Sequence, residues 1–113
     1  CCGVPNPEAF PILRDRCAGY FSCPDFVTAR GMRLAGSPVG TDARIVSGES
    51  AAVGLGLVSL IMESERLREM RQAFGLNQEA VVLLVSTEGD TDPAMYRRVV
   101  DDGAFATPDV LLE

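Results

Sequence analysis

An unbroken apolar run, AVVLLV from Ala80 to Val85, limits the folds open to this chain. A short, valine-rich run without polar interruptions is typical of a strand buried on both faces in a parallel sheet. Such a strand needs neighbours, and the only other candidate strand is AGYFSC at residues 18–23. The pattern predicts an α/β fold in which helices pack around one or two parallel strands of an incomplete sheet.

Helical spacing of apolar residues and helix-boundary residues predict the remaining elements. The predicted helices cover residues 8–17, 24–34, 48–62, 64–74 and 93–100. Ser22, Ser64 and Asp92 are predicted N-caps, and Gly75 is a predicted C-terminal stop. In the third helix, Gly54 and Gly56 favour close helix packing over a dinucleotide fingerprint, because no strand precedes them.

Composition narrows the possible functions. The chain has 113 residues, 47% of them hydrophobic, which suits one small core. Sixteen acids against ten basic residues give a net charge of −6, which argues against a nucleic-acid partner. The longest apolar stretch, residues 51–62, is too short to cross a bilayer. The chain lacks histidine, and all its basic residues are arginines, so no amine side chain can form a Schiff base.

The four cysteines, Cys1, Cys2, Cys17 and Cys23, have no CxxC spacing and no accompanying histidine, so we expect no zinc site. As small hydrophobes they favour a reducing, cytoplasmic location. The sequence leaves open a bridge between Cys2 and Cys23. The first residue is not methionine, which favours a processed chain or a piece of a longer one.

The motif STEGDTD follows the predicted strand directly. Glu88, Asp90 and Asp92 alternate like the first ligands of an EF-hand loop, but Pro93 and Val99 stand where that loop requires glycine and glutamate. We therefore expect no metal site here. Asp92 is better explained as the cap of the last helix, and Gly89 as a turn residue.

Ser86 and Thr87 begin the motif at the carboxyl end of the predicted strand, where open α/β sheets place their ligands. A hydroxyl can donate one hydrogen bond to a heterocyclic nitrogen without bringing a charge. An aspartate would instead hold that nitrogen protonated. The residues therefore permit, without requiring, a contact with the ring of a cofactor.

Several stretches resemble the C-terminal portion of the diaminopropionate ammonia-lyases, pyridoxal-phosphate enzymes of the fold type II (tryptophan synthase β-like) group. The matching stretches, in order, are CGVPN (2–6), ILRD (12–15), SCPD and GMR (within 22–33), GSPVG and SGES (within 36–50), and STEGDTD (86–92), followed by Tyr96 and Arg97. The resemblance extends from Cys2 to about Pro108. It implies that residues 1–108 belong to the large catalytic domain and that residues 109–113 form a loose tail.

The resemblance also assigns roles to residues of this chain. The implied cofactor-binding residues are Ser86, Thr87, Glu49 and Gly48. Ser86 takes the place of the hydroxyl that meets the pyridine nitrogen, Glu49 lies near the ring, and Gly48 lets the backbone approach it. Cys2 and Gly3 would line the substrate entrance. None of these residues is implied to be catalytic, because the family's Schiff-base lysine and catalytic acids lie upstream.

The implied activity is α,β-elimination from the amino acid 2,3-diaminopropionate, giving pyruvate and ammonia, with pyridoxal 5'-phosphate as cofactor. The implied partners are the missing N-terminal part of the enzyme and a second subunit in a homodimer. Val4, Ala9 and Phe10 depart from the family pattern on the substrate side. Another fold type II enzyme, such as a serine or threonine dehydratase or a β-replacement enzyme, therefore stays an alternative. A non-catalytic remnant or interaction module also stays open, because the chain has no lysine and no histidine and begins with cysteine.

Overall fold

The computed structural model describes residues 3–112, and these residues fold as a small helical assembly. Its helices are α1 (Ala9–Arg16), α2 (Asp25–Gly36), α3 (Glu49–Glu63), α4 (Arg68–Ala73) and α5 (Pro93–Val100). One-turn 3-10 helices occur at Glu65–Leu67 and Asp109–Leu111. All five helices lie where the sequence predicts them.

The tightest packing in the fold is between α2 and α3. A Cβ built on Gly31 would collide with the carbonyl oxygen of Ala52, and one on Gly56 would collide with that of Val27. Each backbone can approach the other only because these positions lack a side chain. The close packing predicted for Gly56 is confirmed. Gly54 instead faces a side-chain methyl of Leu84.

Helix α5 packs against α2 and completes the apolar core. The buried residues of this core are Ala29, Met32, Ala52, Tyr96 and Val99. Arg33 ties the end of α2 to the residues that follow α5, because its guanidinium donates hydrogen bonds to three backbone carbonyls. These belong to Val99 at 3.2 Å, Ala104 at 2.9 Å and Phe105 at 3.2 Å.

The predicted helix boundaries are confirmed in two cases and corrected in two. The Asp92 carboxylate accepts from the amides of Ala94 and Met95 and caps α5, and Gly75 adopts a φ of +64° after α4. Ser64 holds the predicted position, but its side chain makes no capping hydrogen bond. Ser22 is not a cap, because α2 begins later and Pro24 holds the capping position.

Within residues 3–112 the structure contains no β-strand, so the two predicted parallel strands are not confirmed. Residues 80–85 run without regular structure, and a strand is defined by ladder hydrogen bonds to a neighbour. Alternate side chains nevertheless point to opposite sides: Val81 and Leu83 are 98% and 89% exposed, whereas Val82 and Leu84 are about half as exposed at 42% and 40%. The segment packs one face on α3, through Leu84, and leaves the other face bare.

No helix within residues 3–112 has the length and apolar character needed to cross a membrane. The considered bridge between Cys2 and Cys23 lies outside the described residues.

Candidate functional site

The residues that follow the apolar run lie against the N-terminus of α3. The amide of Gly48 donates a hydrogen bond to the backbone oxygen of Glu88 over 2.8 Å. Beside it, the hydroxyl oxygens of Ser47 and Ser86 lie 2.9 Å apart. These two contacts join residues 47–48 to residues 86–88 side by side, so the predicted site residues of the two segments meet.

Gly48 makes this approach possible. A Cβ at this position would collide with the backbone oxygen of Gly89 and would lie 2.8 Å from the Glu88 Cγ. The absence of a side chain at Gly48 therefore has a packing explanation within the chain itself. A backbone approach of Gly48 to a cofactor stays a prediction.

Glu88 holds the two segments together through its side chain as well as its backbone. Its carboxylate accepts one hydrogen bond from the Ser50 amide over 3.1 Å and one from the Thr91 hydroxyl over 3.0 Å. These bonds, the one from Thr91 first, lower the pKa of Glu88 below its usual value. The negative charge lies at the start of α3, where it interacts favourably with the helix dipole.

The serine pair differs in burial. Ser47 is only 4% exposed, whereas Ser86 lies at the surface at the end of the apolar run. A hydrogen bond between a buried hydroxyl and an exposed one restricts the directions in which the exposed hydroxyl can make further hydrogen bonds. Ser86 is therefore a partly oriented polar group on an otherwise open face.

Glu49 begins α3 directly after Gly48, and it is exposed. Glu49 lines a cavity of about 230 Å³ together with Asp25, Met32 and Phe105. This volume lies below the range of about 300–1,000 Å³ typical of small-molecule sites. Ser86 and Thr87 do not line this cavity, so it does not by itself form the predicted cofactor site.

The structure brings together four of the six residues predicted for the site. These are Gly48, Glu49, Ser86 and the exposed Thr87. Gly3 is exposed, and a side chain at its position would meet no other atom within 4 Å, so it makes no contact with this cluster. Cys2 lies outside the described residues.

Sequence reasoning missed two residues of the cluster, Ser47 and Glu88. Ser47 stands next to Gly48 in the motif SGES, and its hydroxyl was the available signal. Glu88 was considered only as a metal ligand. The part of the chain that the structure describes contains no group of three or more metal-ligating side chains. Glu88 and Asp92 instead accept hydrogen bonds from different backbone amides.

The donor set at this site suits the ring of a pyridoxal cofactor. A pyridine nitrogen accepts a hydrogen bond when it is unprotonated and donates one when it is protonated. A neutral hydroxyl can pair with both forms, because it can donate or accept. Ser86 is exposed, which leaves its hydroxyl accessible to a planar ring. The residues present therefore fit one side of such a cofactor.

Comparison with known proteins identifies related sequences. No family model matches the chain. The diaminopropionate ammonia-lyase of Escherichia coli K12 is 48% identical over 105 residues, and that of Salmonella typhimurium LT2 is 41% identical over 106 residues. Each alignment covers 93% of this chain and 26% of the relative. The chain is a homologue of part of diaminopropionate ammonia-lyase.

Solved structures of the Escherichia coli diaminopropionate ammonia-lyase share the fold. The apo form superposes with a TM-score of 0.84 at 47% identity, over 90% of this chain and 28% of that one. A complex with D-serine gives 0.86 at 48% identity, over 93% and 27%. A third structure, with a TM-score of 0.84, holds an aminoacrylate-PLP azomethine reaction intermediate. The resemblance read from the sequence is confirmed, and the chain spans about a quarter of its relatives' length.

Proposed function

We propose that this chain forms one wall of the cofactor site of a pyridoxal-phosphate-dependent lyase that eliminates ammonia from 2,3-diaminopropionate. The Ser86 hydroxyl, held at 2.9 Å from the buried Ser47 hydroxyl at the start of α3, carries the proposal. The 48% identity with the Escherichia coli diaminopropionate ammonia-lyase supports it. The Escherichia coli structure with a PLP-derived intermediate supports the choice of cofactor.

In this proposal Ser86 contacts the pyridine nitrogen of the cofactor. The ring, when bound, withdraws electrons from the substrate's α-carbon. A neutral hydroxyl leaves the protonation state of the nitrogen open, whereas a carboxylate at the same place would favour the protonated ring. Ser86 therefore contacts the ring nitrogen without adding a charge or imposing the protonated form.

Glu49 and Thr87 are proposed to flank the ring. Both are exposed, and each is a sequence neighbour of a residue that joins the two segments, Gly48 or Ser86. The Glu88 carboxylate accepts hydrogen bonds from Ser50 and Thr91, and the bond from Ser50 holds the two segments of the site together. Gly3 and Cys2 are proposed to reach the substrate entrance only when the rest of the enzyme is present.

The chain itself supplies no amine to hold the cofactor covalently, because it has no lysine. We propose that this lysine and the groups that move the substrate's protons lie in the remaining three quarters of the enzyme, and that the complete enzyme is a homodimer. The backbone of residues 81–85 makes no hydrogen bond within the described chain, which supports a further sheet strand beside it, and the bare side chains of Val81 and Leu83 support a layer packed over it. In that setting the run would form the predicted parallel strand.

The proposal is tested on the protein expressed from its full coding sequence. Ammonia and pyruvate release are measured with 2,3-diaminopropionate, serine and threonine, and the absorbance of bound cofactor is recorded. We expect diaminopropionate to be preferred and Ser86→Asp to shift the absorbance toward a protonated ring. An absorbance and rate profile unchanged by Ser86→Asp would remove Ser86 from the site.

The same assay decides the alternative substrate classes. Val4 and Phe10, which depart from the family pattern, are both exposed in the structure and can contact an added domain or substrate. A preference for serine or threonine would assign the protein to the dehydratases. The absence of any lysine-bearing domain in the full coding sequence would instead favour a non-catalytic module.

A further inference from the structure

Ser47 belongs to the motif SGES but was assigned no role of its own, and it is the buried member of the hydroxyl pair. We propose that Ser47 is a positioning residue for the cofactor contact, donating its hydroxyl hydrogen to Ser86 so that the Ser86 hydrogen is free for the pyridine nitrogen. This inference rests on the proposed function of Ser86. It assigns the orientation of that contact to a residue that does not itself touch the ring.

The chemistry of hydroxyl groups gives the pair only two arrangements. Each hydroxyl has one hydrogen to donate and lone pairs that accept. If Ser86 donated to Ser47, its only hydrogen would be used, and an unprotonated ring nitrogen would have no donor. If Ser47 donates, the Ser86 oxygen accepts and its hydrogen points elsewhere. Two consecutive hydrogen bonds, from Ser47 to Ser86 and from Ser86 to the ring nitrogen, also polarise and strengthen each other.

The surroundings fix the distance between the two hydroxyls. Residues 47–48 and 86–88 are joined by the backbone bond from Gly48 to Glu88, and the Ser50 amide adds a bond to the Glu88 carboxylate. Among the described residues, the Ser47 hydroxyl has Ser86 as its sole hydrogen-bond partner. Ser47 therefore has no competing use for its hydrogen within this part of the chain.

The experiment is a double-mutant cycle in the protein expressed from its full coding sequence. Ser47→Ala, Ser86→Ala and the double variant are prepared as apo-proteins and titrated with pyridoxal phosphate, following cofactor absorbance. Loss of one hydrogen bond predicts about three- to tenfold weaker cofactor binding in each single variant. Because the two hydroxyls act as one unit, we expect the double variant to be no weaker than Ser86→Ala alone.

A second readout separates orientation from packing. The pH at which the absorbance of the bound cofactor changes should shift in Ser47→Ala in the same direction as in Ser86→Ala. Ser47→Thr and Ser47→Val have nearly the same shape and differ in the hydroxyl. Threonine should retain wild-type cofactor affinity and valine should lose it, which also decides the matter if Ser47→Ala folds poorly.

Ser64→Ala is the matched control, because Ser64 is a fully buried serine at the far end of α3. Its removal should leave cofactor affinity unchanged, and a loss as large as that in Ser47→Ala would overturn the inference. Equal affinity in the threonine and valine variants would also overturn it. If Ser86→Ala changes affinity and Ser47→Ala does not, the positioning role fails and the proposed function stands. If Ser86→Ala changes nothing, the proposed contact fails, and the inference fails with it.

Discussion

Gly31 and Gly56 face each other where α2 crosses α3, and a Cβ on Gly31 would stand 2.8 Å from the amide nitrogen of Gly56. Real Cβ atoms do not approach other atoms this closely. Both collisions involve backbone atoms, which cannot rotate away. The crossing is therefore built on the absence of two side chains, and it sets where the start of α3, with its site residues, lies relative to α2.

The first prediction concerns this crossing. Gly56→Ala should lower the free energy of unfolding by about 1–3 kcal/mol, because the added methyl group forces the two helices apart. In an exposed helix the same substitution would be favourable by about 1 kcal/mol. Chemical denaturation measures the change. Gly54→Ala, in the same helix but facing only the Leu84 side chain at 3.1 Å, is the control and should be nearly neutral.

The second prediction separates the acids of STEGDTD. The Asp92 carboxylate accepts from the amides of Ala94 and Met95 at 3.2 and 3.1 Å. Asp92→Ala should therefore cost about 1 kcal/mol of folding free energy, and Asp92→Asn should cost a few tenths. Asp90 is exposed and accepts no hydrogen bond within the described residues, so Asp90→Ala should stay within about 0.5 kcal/mol. Equal losses at both positions would contradict this division.

Local chemistry explains why the sequence predicted the helices so well. Each helix carries its own period of apolar residues, and signals such as Asp92 before Pro93 or Gly75 after α4 act within a few residues. The predicted cap at Ser22 was wrong because α2 begins after Pro24. Ser64 precedes its helix as predicted, but its side chain does not reach the backbone amides. Cap geometry depends on the exact entry of the chain, which the sequence does not specify.

The third prediction is a pH dependence centred on Glu88. Its pKa is lowered in the folded chain, by the Thr91 hydroxyl first and then by Ser50. Its ionised form is therefore favoured by folding, and the stabilisation is present above the ordinary glutamate value of about 4.3. It is lost as the pH falls through the lower folded pKa. The melting temperature of Glu88→Gln should thus lie below that of the wild type at pH 7, and the difference should shrink as the pH falls below 4.

Thr91→Val tests the cause. The substitution removes the Thr91 hydroxyl, the partner that lowers the Glu88 pKa most, and leaves the Ser50 contact in place. The melting temperature should then depend less on pH than it does in the wild type. A pH dependence that is the same in Thr91→Val and wild type would show that Thr91 does not lower the Glu88 pKa.

The site was only partly predictable. Ser86, Glu49 and Gly48 were proposed because motifs carried them, and their cofactor roles stay predictions. Ser47 and Glu88 make contacts between segments about 40 residues apart. The periodicity and local spacing of residues in the sequence do not predict which distant segments pair. The pairing depends on Gly48, whose missing side chain admits the backbone of residues 88–89.

The fourth prediction concerns Arg33, whose guanidinium donates hydrogen bonds to three backbone carbonyl oxygens. The single ammonium group of a lysine cannot reach all three oxygens at once. Arg33→Lys should destabilise the fold by about 1.5–3 kcal/mol, because at least one carbonyl loses a charged donor. The same change at Arg98, an exposed residue of α5, should stay within about 0.5 kcal/mol. Thermal and chemical denaturation of the two variants give the comparison, and matching values would show that the carbonyl contacts contribute nothing.

The fifth prediction concerns the bare side of residues 80–85, where Val81 and Leu83 are almost fully exposed. An extended apolar segment without a paired neighbour can add a strand from another chain. We expect the 113-residue chain alone to self-associate, as measured by analytical ultracentrifugation. The double variant Val81→Thr/Leu83→Thr should shift it toward the monomer, because threonine keeps the extended conformation and lowers the apolar area.

Val4→Thr/Val39→Thr is the control for this prediction. It alters two exposed valines that stand apart, 85% and 83% exposed, and should leave association unchanged. A monodisperse wild-type monomer that melts cooperatively would show that the bare face does not need a partner.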